Sequence, residues 1–212
     1  MAGEAATGRP RPAPADQPRV TGFEAAARRV AADLRAAGRE GALVGGLAVS
    51  IRTEPRFTQD LDLAVAVEDD EVAERTVRSF LGEGYQLMAT VEHEATGRLA
   101  MARFELPASD QIADLLFASS GIEPEIVAAA DVLQVLPGLE LPVATTGHLI
   151  ALKLLARDDE TRPLDAVDLR ALVAVADDQD LSLAREAVVL ITTRGYDRGR
   201  DLTRALEEVV RG

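Results

Sequence analysis

Two apolar runs, Ala42-Leu-Val-Gly45-Gly46-Leu-Ala-Val-Ser50 and Leu61-Asp62-Leu-Ala-Val-Ala-Val67, flank a polar connection carrying Arg52, Arg56 and Thr58. The first ends its most apolar part in two glycines and reads as a buried strand delivering backbone to a tight approach, since glycine has no Cβ to hold a ligand away. The second run, entered through Asp60, reads as another buried strand. Residues two apart on a strand share a face, so Asp60 and Asp62 stand side by side while Leu61, Leu63 and Val65 belong to the core. Two neighbouring carboxylates at the mouth of an apolar strand repel each other unless a cation lies between them. Hard oxygen donors at this spacing suit Mg²⁺.

The 212 residues allow one ordinary domain or two small ones. The chain has no cysteine, which excludes disulfides and thiolate metal sites and is compatible with a reducing compartment. No apolar run reaches the ~18 residues of a membrane span, so a cytoplasmic protein without a membrane partner is expected. The net charge of −13 argues against a general nucleic-acid coat and leaves room only for a local basic groove.

Residues 1–20, rich in Pro, Ala, Gly and Arg, are expected to form a mobile tail. Helical periodicity over Phe23 to Ala37 ends at Gly38, and acids at 68–71 open a second helix. Tyr85–Val91 and Leu99–Leu106 read as a hairpin across Thr96-Gly97, with His93 a surface residue near its turn. Glu123–Ala130 reads as a short helix and Leu133–Val143 as one extended segment. Thr145 or Thr146 caps a helix through Arg157, with His148 a local cap or surface group. Further helices are expected over Pro163–Ala176, Leu181–Thr193 and Arg198–Val210.

Three more positions stand out. Asp114 interrupts the apolar strand Gln111–Ala118, and a carboxylate there either serves a site or pairs with a nearby arginine. Lys153 is the only lysine among twenty-two arginines, and a compact ammonium grips phosphate as a point charge. Asp165 and Asp168 lie in an apolar helix where each wants a cation, which Lys153, Arg157 or Arg162 can supply.

Gly45-Gly46, Arg56-Phe-Thr58 and Asp60-Leu-Asp62-Leu resemble the nucleotidyltransferase core of the DNA polymerase β-like superfamily, and in detail the AbiEii-type nucleotidyltransferase toxins. The resemblance continues through Lys153-Leu-Leu-Ala-Arg157 and Arg162-Pro-Leu-Asp165-Ala-Val-Asp168-Leu, with imperfect spacing around Arg157, and spans roughly residues 40 to 172. It implies two Mg²⁺ held by Asp60, Asp62 and a third carboxylate that Asp114 matches, with an NTP as donor. Gly45, Gly46 and Thr58 would face the triphosphate, Lys153 would neutralise the pyrophosphate with Arg52 or Arg56 as helpers, and Asp165 would be the functional acid with Asp168 structural.

The expected fold is α/β (α+β): a small mixed sheet over residues 21–143, followed by a helical bundle over 144–212 that completes the cleft. The resemblance implies transfer of NMP to an acceptor hydroxyl, the family-weighted acceptor being a tRNA 3′ end held by Arg52, Arg56, Arg157 and Arg162. It also implies a toxin–antitoxin setting with an antitoxin protein as partner. The alternatives are a small cationic molecule or a protein side chain as acceptor, which an acidic cleft would favour, and a non-catalytic NTP-binding module.

Overall fold

The computed structural model describes residues 19–54, 60–158 and 163–211. In chain order the elements are α1 (Arg19–Ala36), β1 (Gly41–Leu43), α2 (Gly45–Arg52), β2 (Asp60–Val65), α3 (Asp70–Gly82), β3 (Gln86–Glu92), β4 (Leu99–Glu105), β5 (Ile112–Leu116), α4 (Glu123–Ala128), β6 (Asp131–Leu136), β7 (Leu139–Val143), α5 (Thr146–Ala156), α6 (Pro163–Val175), α7 (Asp178–Thr193) and α8 (Leu202–Arg211). The strands form one mixed sheet in the order β3-β4-β5-β2-β1-β7-β6. β2 runs parallel to β5 and antiparallel to β1, and β1 runs parallel to β7.

Alternation divides the central strands between two faces. Leu61 and Leu63 of β2, Ala113 and Leu115 of β5, and Ala102 and Phe104 of β4 are all buried on one of them. There Phe104 meets Phe80 of α3 at 5.4 Å between ring centroids, and Phe80 meets Tyr85 at 4.8 Å. The other face carries Asp60, Asp62, Asp114 and Arg103. The fold therefore puts its aromatic core behind the sheet and its charged side chains in front.

Several sequence expectations change. Residues 45–52 form a helix where the sequence reads as a strand end and a polar turn. Leu47, Ala48, Val49 and Ser50 are buried in succession, so this eight-residue helix shows no 3.6-residue periodicity. The segment 133–143 is a hairpin, β6 and β7, turning at Pro137-Gly138 with Gly138 at φ +70°. α1 begins at Arg19, inside the stretch expected to be a tail. α7 begins earlier than expected because Asp177 and Asp180 form a capping box. The acids at 68–71 do open α3, where Asp69 accepts the Val72 N–H at 2.9 Å, and of the two candidate caps of α5 it is Thr145 that accepts the His148 N–H.

Candidate active site

Three adjacent strands bring a row of charged side chains into register. Arg103 on β4 is paired with Asp114 on β5, and Asp114 with Asp62 on β2. Arg103 holds Asp114 in a fork, Nε donating to Oδ1 at 2.8 Å and Nη2 to Oδ2 at 2.6 Å. Asp114 is buried, whereas the Arg103 side chain is 45% exposed. Asp60 lies two residues before Asp62, exposed at the start of β2.

Asp62 is the strained member of this row. Burial, and then the charges of Asp114 and Asp60, push its carboxyl from 3.8 up to about 6, against the opposing pull of Lys153 and Arg103. Its position also explains a glycine. Gly45 has φ +65°, and a Cβ there would fall inside the van der Waals shell of Asp62 Oδ2. The chain leaves β1 through Val44, whose N–H donates to the Asp62 carbonyl at 2.9 Å, and enters α2 at once. The N-terminal amides of α2, which Val44 has no oxygen to cap, therefore begin beside the carboxylates, an arrangement suited to a phosphate.

Lys153 reaches the same cleft from α5. Its Nζ donates to Asp165 Oδ1 at 2.6 Å and lies 2.8 Å from Asp168 Oδ2. Both acids on α6 are buried, and Asp165 Oδ2 has no hydrogen-bond partner among the described residues. The cleft has a volume of about 1160 Å³ and is lined by Gly45, Gly46, Asp62, Asp114, Lys153 and Asp165 together with Arg103. One contact behind its lining was missed by sequence reasoning: His93, which lines the cleft beyond β3, packs on Tyr196 between α7 and α8 at 4.1 Å between ring centroids. Gly121, at φ +74°, admits that Tyr196 ring where a Cβ would lie 2.5 Å from it. Burial, and then Arg198, lower the His93 pKa.

Other expected site residues lie elsewhere. Arg52 is turned away from the cleft: Nε donates to the Ala144 carbonyl at 3.0 Å, and Nη2 to the Val143 carbonyl at 3.1 Å and to Asp131 at 2.7 Å. It ties α2 to the β6–β7 hairpin. Arg56, Thr58 and Arg162 lie outside the described residues. His148, read as a local cap or a surface group, is buried beside the cap, with Nδ1 3.0 Å from Thr145 Oγ1, and burial lowers its pKa.

The residues fit a hard divalent cation in donor chemistry. Asp60, Asp62 and Asp114 offer only oxygens, and the burial of Asp62 beside two other carboxylates leaves a charge there that a cation would compensate. Among the described residues, no three acids or histidines converge on one point, and both Asp114 oxygens are taken by Arg103.

A family model described as nucleotidyl transferase AbiEii toxin, type IV TA system, matches residues 31–210, a span that contains every element of this cleft. The chain belongs to the AbiEii family. It is thus a member of a nucleotidyltransferase toxin family, and the fold and cleft described above are those of an AbiEii chain. None of the curated proteins compared matches it. Among solved structures it is similar to an antigenic nucleotidyltransferase-like protein from Paracoccidioides brasiliensis, at 17% identity and TM-score 0.48, covering 88% of this chain and 93% of that one. The lincomycin-bound lincosamide antibiotic adenylyltransferase LnuA is similar at 11% identity and TM-score 0.48, over 72% of this chain and 98% of that one. A putative nucleotidyltransferase from Helicobacter pylori is similar at 17% identity and TM-score 0.45, over 92% of each chain. The family assignment rests on the sequence match.

Proposed function

We propose that this AbiEii chain transfers NMP from an NTP to the hydroxyl of an RNA acceptor, a tRNA 3′ end, as the toxin of a pair neutralised by a partner protein. The observation that carries the reading is the register of Asp62 with Asp114 on neighbouring strands, in one cleft with the Gly45 backbone and Lys153. Asp60, Asp62 and Asp114 would hold Mg²⁺, which when bound supplies Lewis-acid stabilisation of the attacking and leaving oxygens. The α2 amides from Gly45 onward orient the donor's phosphates. Lys153 adds a positive charge near the leaving group, steadied by Asp165 and Asp168.

The cleft lining favours one further reading, transfer to a cationic acceptor. Glu92, Glu94, Asp158 and Asp197 line it beside Asp62, Asp114 and Asp165, and outnumber Arg103, Lys153, Arg198 and Arg200. The deciding assay incubates the purified protein with Mg²⁺, each labelled NTP in turn and total tRNA, beside an Asp60→Ala, Asp62→Ala control. RNA labelling that vanishes in the control is the expected result. Bound but untransferred NTP would overturn the tRNA reading, and a cationic small molecule would be the next acceptor to offer.

A further inference from the structure

Among the basic side chains that line the cleft, Arg103 is the one bonded directly to the carboxylate row, through Asp114. It is aligned with Asp114 by strand pairing, it takes both carboxylate oxygens, and it faces the cleft. The two partners differ in freedom. The Asp114 side chain is 8% exposed on a strand with neighbours on both sides, while the Arg103 side chain is 45% exposed on a long stem. A rotation of the arginine can break the pair, whereas Asp114 has nowhere to go. Left alone, a buried carboxylate is costly, so release of Arg103 is favoured only when another cation takes its place. The released guanidinium also needs an anion, and its planar fork matches phosphate oxygens as well as carboxylate oxygens.

We propose that Arg103 is the resident cation of the carboxylate cluster: it occupies Asp114 in the free protein and yields it to a divalent cation as its own charge passes to the phosphates of a bound nucleotide. Cation and nucleotide then bind each other's form of the site, and each tightens the other by the same factor. The proposal rests on the nucleotidyl-transfer reading for its ligands, and its consequences are measurable without turnover.

The test measures Mn²⁺ binding to the full chain by electron paramagnetic resonance, alone and with the α,β-methylene analogues of the four NTPs in turn. Wild-type protein should bind Mn²⁺ weakly alone and roughly tenfold or more tightly with an analogue. Arg103→Met should bind Mn²⁺ alone about tenfold more tightly than wild type and lose the coupling. Arg103→Lys keeps the charge but cannot hold both oxygens, and should fall between the two. An unchanged or weakened Mn²⁺ affinity in Arg103→Met, or Arg103→Lys equal to wild type, would overturn the proposal. Should the variants misfold, the wild type decides by NMR. The Arg103 Nε–H, held by Asp114, should change its shift and exchange when Mg²⁺ and an analogue are added together, and a signal unmoved by both sinks the idea. The Mn²⁺ gain in Arg103→Met needs no nucleotide, so a protein that labels no RNA can still pass it and an active transferase can fail it.

Discussion

The chemistry of this cleft begins with a carboxylate that resists ionisation. Asp62 is held at about 6 because it is buried and because Asp114 and Asp60 stand beside it. A folded-state pKa raised above the unfolded value means that the folded protein binds the proton more tightly. The associated stability is fully present below about 3.8 and is lost as pH rises through about 6. Asp62→Asn removes the titration while keeping shape. In EDTA at pH 7 the variant should therefore be more stable than wild type, by on the order of 3 kcal/mol, with the difference closing between pH 6 and pH 4. Chemical denaturation of both proteins across that range checks it, and a pH-independent difference would refute it. A protein that keeps so strained a group has placed function ahead of stability at this position.

At the scale of elements, the junction of α5 and α6 is a second polar investment. Lys153 sits between two buried acids, so its removal takes from both the ammonium they share. Lys153→Met should cost roughly 3–5 kcal/mol of stability. The triple variant Lys153→Met, Asp165→Asn, Asp168→Asn should recover much of that loss and still fail to transfer nucleotide. Thermal unfolding beside the labelling assay separates the two effects, and a triple variant with restored activity would confine Lys153 to structure. The elements differ in how far the sequence disclosed them. β2, the β3–β4 hairpin and the Thr145-capped α5 carry local signals: alternation, a Thr-Gly turn and a capping side chain. α2 carries none, because it is short and buried all round. The sequence allowed Asp114 an arginine partner without identifying it, because strand register joins Arg103 and Asp114 in a relation that no local pattern records. Asp165 and Asp168 were separable in the sequence by resemblance alone, and the geometry gives both to Lys153.

Across the whole fold, the buried side chains of the described residues form one cluster. The boundary expected at residues 143 and 144 falls between β7 and the cap of α5, yet a single cluster of buried side chains runs from Ala26 on α1, through Val143 and Ala144, to Leu206 on α8. α2 is the reason. It contacts β2 as well as α5 and α6, so its buried Leu47 and Val49 belong to sheet and bundle together. Removing residues 144–212 would expose that helix at about 1.5–3 kcal/mol for each large apolar side chain, a serious loss against a typical total of about 5–15 kcal/mol. It would also strip the cleft of Lys153 and of the lining from Gly195 to Arg200. The full chain should therefore unfold in a single calorimetric transition with equal calorimetric and van't Hoff enthalpies, and a fragment ending at Val143 should show no cooperative transition. Two separated transitions in the full chain, or a fragment that melts cooperatively, would mean that sheet and bundle are independent units. The cleft would then be a mobile interface, whereas a shared core makes the spacing between Asp62 and Lys153 a property of the folded state itself.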